Sequence, residues 1–129
     1  MLQNSAARIV TLRRKYDHIT PTLKSLHWLP LEKRIIFKLL LSVFHIVNSS
    51  APSYNQVLLT SYTPSRSLRS SNMGLLKVPQ HKKSWGYMAF AHAGPFLWNS
   101  LPIEIRSIQN VELFKTKLKS YLFVQYLSD

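Results

Sequence analysis

The 129-residue chain has no cysteine, only five acidic residues, only three glycines and no apolar run long enough to span a membrane. Without cysteine there are no disulfides, no iron–sulfur ligation and no thiol nucleophile. The acids Asp17, Glu32, Glu104, Glu112 and Asp129 are scattered. Two-metal phosphoryl transfer needs several carboxylates converging on ions about 4 Å apart, and a glycosidase needs a facing pair. The spacing offers neither. Three glycines are too few for a phosphate-cradling loop, and no serine sits in a G-x-S-x-G elbow. The histidines His18, His27, His45, His81 and His92 lack metal-ligand spacing. The chain is therefore read as no enzyme, with no metal, no cofactor and no small-molecule substrate.

Positive charge is what the chain has in excess. Seventeen Lys and Arg give a net charge of +12 and a pI of about 10.3. A domain this basic is expected to meet phosphate. The cations fall into four groups: Arg8 with Arg13, Arg14 and Lys15; Lys24 with Lys33, Arg34 and Lys38; Arg66 with Arg69; and Lys82 and Lys83 with Lys115, Lys117 and Lys119. Tyr16, Trp28, Tyr62, Trp85, Tyr87, Trp98 and Tyr121 interleave with them. Basic groups beside aromatic faces suit backbone neutralisation with base stacking, so the expected partner is RNA or single-stranded DNA, bound without sequence preference. The candidate contacts are Arg13, Arg14, Lys15, Arg66, Arg69, Lys82, Lys83, Lys115 and Lys119. Trp28 and Trp98, flanked by leucines, are read instead as core. Arg66 and Arg69 also have a plainer reading, in which they pin their loop by bonding helix carbonyls.

The fold is organised around residues 31–47, LEKRIIFKLLLSVFHIV. Apolar positions recur there at helical spacing nearly all the way round, leaving Arg34, Lys38, Ser42 and His45 on one narrow stripe. Such a helix needs cover on most faces, with Ile36, Leu39, Leu40, Val43 and Phe44 buried. Lys38 and His45 interrupt it too often for a membrane span, and no membrane partner is expected. A second helix is expected over 5–15, with Ala6, Ile9, Val10 and Leu12 on its apolar side. A third follows Thr20-Pro21, read as N-cap and first helical residue. A short helix capped by Ser53 is expected to reach Leu59. Residues 60–74, rich in Ser and Arg, read as a long loop. Residues 75–79 and 84–87 are the candidate strands of a short ribbon. Gly94-Pro95 is read as a break, Pro102 as the start of a short segment, and Asn110 as the cap of a final helix to about Tyr126, with Phe114, Leu118, Tyr121 and Leu122 inward. The fold class is thus mostly α, one small helical domain over 1–129 around a central apolar helix.

Five blocks in order carry a resemblance: Arg14 to Pro21 (RKYDHITP), Leu26 to Pro30 (LHWLP), Ala51 to Tyr54 (APSY), Tyr62 to Ser71 (YTPSRSLRSS) and Leu97 to Pro102 (LWNSLP). Over about residues 5–123 the chain resembles the region after the polymerase domain in reverse transcriptases of non-LTR retrotransposons, the LINE lineages of chicken-repeat and jockey-like kind. The polymerase palm and the endonuclease of such enzymes would lie upstream of Met1. The resemblance therefore implies a non-catalytic accessory fragment of an RNA-directed DNA polymerase, holding template RNA or target DNA. Typical copies carry a basic residue where this chain has Phe96, and a charged pair within the segment that reads Gly86 to Phe90 here. Two other readings stand beside it: a protein-interaction or structural module whose charge is incidental, and a translated mobile-element remnant without selected function. The start lacks a basic region followed by an apolar run. An intracellular location, nuclear or cytoplasmic, is expected rather than secretion. The amphipathic pattern already present at Ser5 suggests a piece of something longer.

Overall fold

The computed structural model describes residues 2–66, 69, 74–80 and 89–129. They form a mostly helical fold of α1 (Leu2–Thr11), α2 (Ile19–Ser25), α3 (Leu31–Val47), α4 (Ser53–Gln56), α5 (Phe90–Ser100), α6 (Ile103–Arg106) and α7 (Val111–Ser128).

Helix α3 spans the residues its pattern dictates. Its Leu40, Val43, Phe44 and Ile46 are buried, and Ile36 and Leu39 are half-buried against the same core. Helices α5 and α7 pack on it. Phe44 stacks on Phe114 with ring centroids 4.3 Å apart, and Trp98 lies 5.9 Å from Phe114, so one aromatic column joins all three helices. Aromatic pairs at such distances add to the stabilisation that comes from burial. Helix α7 starts where expected. The Asn110 side chain accepts a hydrogen bond from the Leu113 N–H at 3.0 Å, satisfying a first-turn donor. Phe114, Leu118 and Leu122, four apart, form its buried stripe, with Tyr121 half-buried beside them.

Three expectations fail for physical reasons. Gly94-Pro95 does not break α5, which runs through both residues. Proline at this position forfeits one intrahelical hydrogen bond, but both residues are buried and packing holds the helix together. A Cβ on Gly94 would lie 3.1 Å from Val43 Cγ2, so glycine is what lets α5 lie this close to α3. Second, cover on α3 is incomplete: Leu31, Ile35 and Val47 are exposed, Ile35 at 57%. Third, α1 runs over Leu2–Thr11 rather than 5–15 and turns its apolar side outward. Ala7 is its buried residue, while Ala6 is exposed, as are Ile9 at 74%, Val10, and Leu12 at 92% in the turn that follows. The small side chain of Ala7 admits α2 closely, and the larger apolar residues are left facing solvent.

Helix α2 begins at Ile19, two residues before the Pro21 read as its first residue, with His18 at the N-cap position. Thr20 and Pro21 fall in the first turn, where no N–H needs an intrahelical acceptor. Helix α4 begins at Ser53 after Pro52 in the N-cap position, and is shorter than expected. Helices α1, α2 and α3 end alike. Leu12, His27 and Ser49 adopt left-handed conformations (φ 54°, 54° and 57°), and the next residue's N–H reaches back five positions: Arg13 to Arg8, Trp28 to Leu23, Ser50 to His45. This is the Schellman arrangement, normally built on glycine.

The N-terminal pair is tied to the rest by side chains. Gln3 Nε2 donates to the Leu29 carbonyl at 2.7 Å. His27 stacks on Phe123 at 5.1 Å, and Lys24 Nζ sits 5.2 Å from the centre of the Tyr126 ring. Partial burial raises the Tyr126 phenol above its ordinary pKa.

Pairing in 75–79 differs from the ribbon read from sequence. The described partner is the start of the long loop. The Tyr62 N–H donates to Leu75 O, the Lys77 N–H donates to Thr60 O, and Ser61 and Leu76 form an isolated antiparallel bridge. Residues 84–87 lie outside the described residues.

Candidate nucleic-acid interface

The long loop leaves and re-enters the fold at that bridge. In this pairing Leu76 directs its own N–H and C=O away from Ser61, and Asn99 of α5 receives both. Leu76 N–H donates to Asn99 Oδ1 at 2.9 Å, and Asn99 Nδ2 donates to Leu76 O at 2.8 Å. One side-chain amide thus does what a third strand would do. Next to it, Trp98 Nε1 donates to the Gly74 carbonyl at 3.0 Å. Gly74 itself has a left-handed φ of 63°, so glycine suits the turn there. The Leu-Trp-Asn block therefore clamps the returning end of the loop, a role that pattern reading missed for Asn99. Its signal was present: an asparagine inside an apolar helical run must satisfy both a donor and an acceptor.

Replacing Asn99 with alanine leaves two backbone groups of buried Leu76 without partners. The expected loss is roughly 1–3 kcal/mol. Hydrogen exchange is the direct check: the Leu76 amide should lose protection while core amides of α3 keep theirs in proportion to the global stability. An unchanged Leu76 exchange rate relative to those amides would remove Asn99 from this role.

Arg66 and Arg69 stand exposed on this clamped loop. Neither makes a hydrogen bond or ion pair within the described structure, so the loop is held by Asn99, Trp98 and the bridge rather than by its arginines. Tyr62, at the loop's first turn, is also exposed.

The second basic site is the turn from α1 to α2. Arg13, Arg14 and Lys15 are all exposed there, and Tyr16 follows them with 92% of its surface open. Asp17 shapes the turn: its carboxylate accepts from the Arg14 N–H at 3.0 Å, its own N–H donates to Arg14 O, and its carbonyl accepts from Arg8 Nη2 at 3.3 Å. Three cations and one open aromatic ring are thereby presented together on a hydrogen-bonded turn.

The α7 cations divide. Lys115 is half-buried and bonds Glu112 at 3.0 Å, so much of its charge is matched. Lys119 is exposed, and it lines the same groove as Arg34 and Lys38 of α3. Sequence grouping had put Lys119 in a different set from Arg34 and Lys38. Lys33, also grouped with Arg34, pairs with Asp129 at 3.4 Å. Lys82 and Lys83, with Trp85 and Tyr87, lie outside the described residues. Trp98 is fully buried in the core, as read, whereas Trp28 is only half-buried and lines the groove instead.

Among the described residues no group of three or more histidine, aspartate or glutamate side chains is placed to hold a metal ion. Nor is any helix there long and apolar enough to cross a membrane. No family model, no curated protein and no solved structure matches the chain.

Proposed function

We propose that this chain is a non-catalytic nucleic-acid-binding accessory region of the kind that follows the polymerase domain in LINE reverse transcriptases. In this reading it grips the backbone of RNA or single-stranded DNA and stacks on unpaired bases. The observation that carries it is the α1–α2 turn, where the exposed Arg13, Arg14 and Lys15 run directly into the open ring of Tyr16. Cations that neutralise phosphate beside a ring that accepts any base face are the two components of sequence-independent single-strand binding. The clamped loop displays Arg66 and Arg69 without partners among the described residues, which adds two phosphate contacts. The five-block resemblance supports the same parentage, and the clamp gives its Leu-Trp-Asn block a structural reason to exist.

Binding of an unstructured single strand should be strongly salt-dependent. With four to six phosphates neutralised, log K should fall against log salt with a slope of roughly −3 to −4. Replacing Arg13, Arg14 and Lys15 together with alanine should flatten that slope by about two units. Tyr16→Ala should behave differently: a loss of roughly 1–3 kcal/mol per stacked base, with the slope unchanged. Both sets of residues are exposed, so the melting temperature should stay put. Duplex DNA of equal length should bind more weakly, because its bases are not free to stack. Absence of detectable binding by the intact chain at 50 mM salt, where electrostatic binding is strong, would refute the reading.

A further inference from the structure

Among the described residues, one face of α3 has no partner. Leu31, Arg34, Ile35, Lys38 and Ser42 lie on one face at helical spacing, all exposed. Together with Leu2, Gln3 and Ala6 of α1, Trp28 and Leu29 of the connector, and Lys119 of α7, they line an open groove of about 1230 Å³. Its floor is apolar. The half-buried Phe37 and Leu39 contribute, and the outward stripe of α1 continues it through Leu2 and Ala6 toward Ile9 and Val10. The charged side chains along it are Arg34, Lys38 and Lys119, and none of its lining residues is acidic.

We propose that this groove is a docking site for an acidic amphipathic helix of a partner protein. Shape and chemistry both bear on the choice. From Leu31 to Ser42 the face runs roughly 16 Å, or three helical turns. That length suits a helix laid in a groove with apolar anchors at i, i+3 or i+4, and i+7. Three cations beside an apolar floor call for carboxylates flanking those anchors. A second copy of this chain is the wrong occupant. It carries the same net charge of +12 and only five acids. Its own outward amphipathic helix, α1, has no acidic residue at all. A polynucleotide is also disfavoured, since Leu31, Ile35 and Leu2 offer its phosphates nothing. The site is independent of the α1–α2 turn, so a chain that fails to bind nucleic acid still tests this proposal.

The probe is a fluorescein-labelled synthetic peptide of about 15 residues, long enough for appreciable helix. It carries leucines at i, i+3, i+4 and i+7 with glutamates on both flanks. Fluorescence anisotropy with the full chain should give saturable binding. Ile35→Glu should weaken it about tenfold or more, as loss of a central anchor does. Val124→Glu, which puts the same charge on an exposed apolar position away from the groove, should leave affinity within about twofold. Both variants alter exposed side chains, and circular dichroism would confirm that each retains its helix. A peptide of identical composition with scrambled order should bind at least tenfold more weakly, since charge alone does not fill the floor. Equal binding of the scrambled peptide, or equal loss in the two glutamate variants, would overturn the proposal in favour of diffuse attraction. A single-stranded oligonucleotide whose own binding fell with Ile35→Glu as steeply as the peptide's would assign the groove to nucleic acid. A concentration-dependent dimer abolished by Ile35→Glu in sedimentation would assign it to a second copy.

Discussion

Trp98→Ala should lower stability by about 3–5 kcal/mol, the range for truncating a buried aromatic side chain. That is a large share of the roughly 5–15 kcal/mol that keeps a domain folded. The indole is 1% exposed, packs near Phe114 and donates to the Gly74 carbonyl. Truncation therefore opens a cavity in the aromatic column and releases one half of the loop clamp. Urea titration followed by far-ultraviolet circular dichroism would measure the loss. Trp98→Phe separates the two contributions. It keeps most of the ring volume and removes the donor. Gly74 is exposed, so water can replace the lost bond, and Trp98→Phe should cost much less than Trp98→Ala. If the alanine variant lost less than about 1 kcal/mol, the central place given to this residue would be wrong, because core truncations of this size do not come so cheaply.

Leu40→Ala is expected to cost roughly 2–5 kcal/mol. Leu40 is buried at the middle of α3, among the residues that meet α5 and α7. The informative comparison is on the same helix. Leu31→Ala removes the same atoms from an exposed position and should change stability by less than about 0.5 kcal/mol. Equal effects at the two positions would mean that the groove face is covered in solution. A negligible effect at Leu40 would displace α3 from the centre of the fold.

The contrast between those leucines explains what was legible beforehand. Helices α3 and α7 could be read because period, first-turn acids and the Asn110 cap all agree on where each runs. Burial along α3 was read less well. The all-round apolar pattern implied cover on Leu31 and Ile35, and pattern alone does not say whether the cover belongs to this chain. The same reasoning misplaced α1, where the inward residue is the small Ala7 and the outward ones are Ile9 and Val10. Gly94-Pro95 looked like a stop because local propensity is all a sequence displays. The Val43 side chain, which a Cβ on Gly94 would meet at 3.1 Å, belongs to another helix. The basic turn was visible as a cluster, since its members are consecutive. The meeting of Lys119 with Arg34 and Lys38 was not, because it depends on α7 returning to α3. Asn99 was quoted within a motif, but its pairing with Leu76 is a contact across 23 positions.

That long return has a consequence during synthesis. Helix α3 ends at Val47, its partner α5 begins at Phe90, and the last buried residue of α7 is Leu122. At roughly 5–20 residues per second, a ribosome takes on the order of 4–15 s to travel from Val47 to Leu122. The central helix waits for α5 over the first part of that interval and for the whole buried stripe of α7 until its end. The nascent chain is at its most adhesive then, and its fate in a cell turns on what shields α3 before α7 arrives.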